Sequence, residues 1–72
     1  MVSFSVRVRR QVVAAMKESR TSRSALAEKT GIPRTTLNRC LDGHRAFNTD
    51  ELGAIAKALE VPLEAIVQET AA

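Results

Sequence analysis

Two periods of hydrophobicity compete at the start of this chain. Val2, Phe4, Val6 and Val8 alternate with Ser3, Ser5, Arg7 and Arg9, which is the two-residue period of a strand. From Ser5 onward the spacing changes: Val8, Val12, Ala15, Met16 and Ser19 recur at helical intervals. The run from Ala14 to Glu18 is rich in good helix formers. The pattern predicts a helix from about Ser5 to Ser19. A short N-terminal strand, paired across a dimer, is the alternative.

Four further helices follow from local signals. Ser22 is a suitable N-cap for a segment from Arg23 to Thr30, which carries Leu26 and Ala27 on one side. Gly31 is placed to end that helix with a positive φ. The next helix starts at Pro33 or Arg34 and stops near Leu41 or Asp42, with Gly43 beyond it. Asn48 followed by Glu51 has the spacing of a capping box. It opens the stripe Leu52, Ile55, Ala56 and Leu59. Val61-Pro62 breaks that helix, and a last one begins at Leu63. Short helices with short connections predict one all-α domain over residues 1–72.

Composition supports helices and narrows the partners. Ala, Leu and Val dominate the apolar positions, and aromatics are 3% of the chain. The net charge is only +3, but it is unevenly distributed. Residues 1–45 hold ten basic against three acidic side chains, a balance of +7. Residues 46–72 hold one basic against five acidic, a balance of −4. One part of the chain is suited to a polyanion, and the other is not. Arg7, Arg9 and Arg10 fit long-range attraction and an ordinary solvated face equally well.

The segment from Arg34 to Leu41 concentrates this charge. At about 100° per residue, Leu37, Cys40 and Leu41 fall on one side of a helix. Arg34, Thr35, Asn38 and Arg39 fall on the other. These side chains can address base edges: Arg donates bidentately to guanine, Asn pairs with adenine, and Thr offers a hydroxyl and a methyl. A short helix, a glycine turn and such a face form a helix-turn-helix over about residues 23–42. Gly31 makes the steep turn possible at low cost. The small Ala27 allows close approach, and Ile32 and Leu37 are expected to meet Leu26 in the core.

The stretch SRSALAEKTGIPRTTLNRCLDGHRAFNTDELGAIAKALEVPLEAI resembles the phage repressor and Cro type of helix-turn-helix, the XRE family. The likeness rests on Leu26-Ala27, Thr30-Gly31-Ile32, the position of Leu37, Gly43, the helix around Leu52 to Leu59, and Val61 to Ile66. It implies a five-helix, lambda-repressor-like domain that regulates transcription as a homodimer on a palindromic double-stranded DNA operator. By this resemblance Arg34, Thr35 and Arg39 are base-reading positions, with Asn38 exposed beside them. Arg23 takes the phosphate-facing position at the start of its helix, and His44 and Arg45 lie in a loop that touches the DNA backbone. Pro33, Glu60 and Met16 depart from the family pattern, at positions where a Ser or Gly cap, a glycine and an arginine are common.

Other chemistry is poorly represented. Cys40 is the only cysteine, which excludes an intramolecular disulfide and a cysteine zinc site. It is expected to be a small core residue. Cys40, Asp42 and His44 are too few for a structural zinc site, and a chain this small builds no good catalytic pocket. No enzyme activity, cofactor, metal or small-molecule ligand is expected. There is no apolar run of membrane-spanning length and no secretory signal, so a reducing cytoplasm is the expected compartment. With no ligand-sensing domain, control is expected to come from expression level or competition, as in a Cro-like phage repressor. An antitoxin of the same fold, which also binds a toxin protein, is the alternative. Leu63, Ile66 and Val67 are expected either to close the core or to form a dimer interface.

Overall fold

The computed structural model describes residues 3–67, and these form α1 (Phe4–Ser19), α2 (Arg23–Thr30), α3 (Arg34–Leu41), α4 (Thr49–Leu59) and α5 (Leu63–Val67). The helical period wins at the N-terminus. Residues from Phe4 onward are helical, and the strand alternative survives nowhere among the described residues. Its first member, Val2, lies outside them. Ser3 starts α1: its Oγ accepts from the amide of Val6 at 3.3 Å. A capped helix that buries Val8, Val12 and Met16 outweighs the short alternation before it.

The predicted caps recur in the structure. Ser22 Oγ accepts from the amide of Ala25 at 3.1 Å. Asn48 Oδ1 accepts from the amide of Glu51 at 2.7 Å, and Glu51 Oε1 accepts from the amide of Asn48 at 2.9 Å. The capping box is therefore complete. Pro33 offers no side-chain acceptor to α3.

Helix ends are less uniform than the glycines suggest. Gly31 and Gly43 take positive φ values of 77° and 86°, but so do Arg20 and Glu60, at 54° and 57°. At Arg20, Gly43 and Glu60 the chain closes with the same pair of amide-to-carbonyl bonds, that of a Schellman motif. Thus α1 and α4 end in left-handed residues that carry side chains, against the usual preference for glycine.

Leu26, Leu37, Ile55, Ile66, Val12 and Cys40 are the largest fully buried side chains. Together with Ala27, Ile32, Leu41, Leu52 and Leu59 they bring all five helices onto one core. The helix α3 packs on α2 and α1, while α5 packs on α1 and α4. Ile66 is buried, Val67 is half-buried, and Leu63 stays 37% exposed.

Candidate nucleic-acid interface

The turn between α2 and α3 is held by one threonine. Thr30 Oγ1 donates to the carbonyl of Leu26 at 2.7 Å and accepts from the amide of Ile32 at 3.2 Å. Gly31 supplies the left-handed step, and its amide bonds to the carbonyl of Ala27 at 2.9 Å. Ile32 then turns into the core, so Pro33 and Arg34 emerge at the surface.

From there α3 divides into two faces, as its residue spacing requires. Leu37, Cys40 and Leu41 are buried. Arg34, Thr35 and Arg39 are exposed, and Asn38 is half-buried. Neither arginine side chain has a hydrogen-bond or ion-pair partner among the described residues. The first turn of α3 contains no acidic residue and no side-chain cap. Its first amide groups therefore have no side-chain acceptor of their own.

Arg23 begins α2 but reaches across to α3. Its Nη1 donates to Oδ1 of Asn38 at 3.1 Å, and its Nη2 donates to Oδ1 of Asp42 at 2.9 Å. The Arg23–Asp42 pair is exposed, at 45% and 48% for the two side chains, so solvent screens it and it contributes little stability. Its effect is positional. The hydrogen bond from Arg23 holds the Asp42 carboxyl below the usual carboxylate range, and the charges of Arg23 and His44 act in the same direction.

The loop after α3 is tied to α4. Arg45 Nη1 donates to both carboxylate oxygens of Glu51, at 2.9 and 3.0 Å, and to Cys40 Sγ at 3.2 Å. The Glu51 carboxylate, and then the Cys40 sulfur, raise the pKa of Arg45 above its ordinary value. Glu51 therefore has two duties, closing the capping box and fixing Arg45. His44 is exposed on the same loop. A cleft runs between this loop and the first turn of α1, lined by Ser5, Arg9, Gly43 and His44. The Arg9 guanidinium lies where a Cβ on Gly43 would stand, so Gly43 serves both the left-handed backbone and this close approach.

The candidates Arg34, Thr35, Asn38 and Arg39 therefore share one helix, and Arg23 is joined to that helix directly. His44 and Arg45 sit just beyond its end. Sequence reading did not anticipate Asp42 as the partner of Arg23, Glu51 as the partner of Arg45, or Arg9 against the loop. The only signal was opposite charge, which does not choose among several acidic residues. Among the described residues no group of His, Cys, Asp or Glu is placed to hold a metal ion, and no helix is long and apolar enough to cross a membrane.

Comparison with known proteins agrees with this geometry. Neither the curated proteins nor the solved structures gave a match. A family model described as helix-turn-helix matches residues 12–66, from the middle of α1 into α5. That span includes the turn, the exposed face of α3 and the loop after it. The chain belongs to the XRE-type helix-turn-helix family of DNA-binding transcription regulators.

Proposed function

We propose that this protein is a sequence-specific repressor of the Cro type, binding a palindromic operator as a homodimer. The observation that carries the reading is the exposed face of α3. It sets two arginines without partners among the described residues beside a threonine and a carboxamide, on a helix anchored by Leu37, Cys40 and Leu41. Long cationic side chains on so short a helix contribute little to its own stability. They match the acceptors of the major groove.

In this reading Arg34, Thr35, Asn38 and Arg39 meet base edges, and Arg23, His44 and Arg45 meet phosphates. Arg45 has one nitrogen engaged with Glu51 and keeps its other donors for the backbone. One protomer measures 33 × 25 × 20 Å. A two-fold dimer on such an operator would present its two α3 helices about 34 Å apart, one turn of B-DNA. Occupying a promoter in this way would exclude polymerase.

Selection of bound sites from a random double-stranded DNA pool tests the proposal. An enriched palindrome with half-sites one helical turn apart is the expected result. Enrichment of a single asymmetric site would remove the two-fold dimer, and no enrichment at all would remove sequence-specific binding.

A further inference from the structure

Arg23 and Asn38 stand 15 residues apart and are joined by a side-chain hydrogen bond of 3.1 Å. The donor is the guanidinium, so the acceptor is the carboxamide oxygen of Asn38. The same guanidinium is held at its other nitrogen by Asp42, the residue that caps the C-terminal end of α3, at 2.9 Å. Three residues, on α2, on α3 and at the C-terminal end of α3, therefore form one chain: carboxylate, guanidinium, carboxamide.

This arrangement has a consequence for base recognition. An asparagine pairs with adenine by using both ends of its carboxamide, the oxygen accepting from N6 and the nitrogen donating to N7. In this protein the oxygen end is occupied by a cation that is itself anchored. The amide nitrogen keeps its two hydrogens and no competing partner among the described residues. With one lone pair of its oxygen taken by a cation, a side chain so held is biased toward donating to a base through its nitrogen. Guanine presents O6 and N7, both acceptors, in the major groove, whereas adenine presents a donor beside its acceptor.

We propose that Arg23 is a specificity-positioning residue: by engaging Oδ1 of Asn38 it converts that side chain from an adenine reader into a donor that selects guanine. The inference rests on the proposed base-reading role of α3. It also gives Arg23 a task that a phosphate contact alone does not require. A lysine at this position would carry the charge but could not bridge Asn38 and Asp42 with the same planar fork.

The test is site selection from a random DNA pool with the wild type, Arg23→Ala and Arg23→Gln. In the wild type, one position of each half-site should favour guanine over adenine. Arg23→Ala frees the carboxamide oxygen, and the preference at that one position should move toward adenine by about tenfold. Arg23→Gln keeps an N–H donor but loses the charge. It should bind all sites more weakly, with a flatter salt dependence, and still favour guanine there. If both variants lose affinity equally on all sequences and keep every base preference, Arg23 acts only on the backbone and the inference is overturned. If the wild type enriches no site, the base-reading role of α3 falls first and the inference falls with it. Replacing Asn38 by Ala should erase the preference at the same position; an unaffected preference would also overturn the proposal.

Discussion

Helices α3 and α4 are built on the same plan and used differently. Each turns an apolar stripe inward, with Leu37, Cys40 and Leu41 on one and Leu52, Ile55, Ala56 and Leu59 on the other. Their polar residues diverge. In α4 they serve the helix itself: Asn48 and Glu51 close a capping box, and Asp50 and Glu51 place negative charge at the positive helix end. In α3 the N-terminus is left without a cap, no acid stands in the first turn, and the arginines point to solvent. A helix that satisfies its own terminus leaves little for a ligand. One held only by its apolar face keeps its donors available.

This contrast can be broken first at the core. If α3 depends on its buried face, Leu37→Ala should destabilise the domain by about 2–5 kcal/mol in denaturant unfolding, as a buried leucine loss does elsewhere. Ile55→Ala in α4 should fall in the same range. A Leu37→Ala cost well under 1 kcal/mol would mean that α3 is held by something other than its apolar face.

The second test concerns the outer faces. Arg39→Ala should weaken binding to a selected site by about 1–3 kcal/mol and relax preference at one base, with stability nearly unchanged. Lys57→Ala on α4 should leave binding as it was. Equal effects of the two in a titration against one operator would erase the distinction between the helices.

A smaller effect is expected at the cap. Asn48→Ala should cost about 1 kcal/mol of stability. It removes the acceptor of the Glu51 amide while leaving the Glu51 carboxylate its bonds to the residue 48 amide and to Arg45, so base preference should persist. Changed preference would show that the α4 cap and the reading face are coupled.

The smallest effect concerns Asp42, the acid that steadies Arg23. Its pKa is lowered in the folded state, so its contribution is complete above the unfolded value of about 3.9. That contribution falls as the pH drops through the lowered folded value, and below it none remains. The melting-temperature difference between the wild type and Asp42→Asn should therefore shrink toward zero in strong acid. A difference that persists there would assign the effect to packing and not to charge.

Much of this architecture could be read along the chain. Ser22, Asn48 and Glu51 announce two helix starts because a cap links residues only three apart. The inward stripe of α3 follows from helical spacing alone. Even the lack of a cap at Pro33 is visible, since proline carries no acceptor side chain. Less legible were the ends at Arg20 and Glu60. Both take the left-handed conformation without a glycine to signal it. There the bonds of the closing turn and the burial of the adjacent helices outweigh the local preference.

The sequence by itself determined the number of helices, the division of α3 into an apolar and a polar face, and the basic character of the first 45 residues. Tertiary structure alone decided which polar groups are free and which are engaged. Arg23 meets Asn38 and Asp42 across separations of 15 and 19 residues, through the crossing of α2 over α3. Arg45 is held to Glu51, while Arg34 and Arg39 remain without partners among the described residues. The physical reason is range. Caps and stripes arise within one or two turns of a helix, whereas the orientation of a carboxamide depends on a guanidinium delivered by another helix.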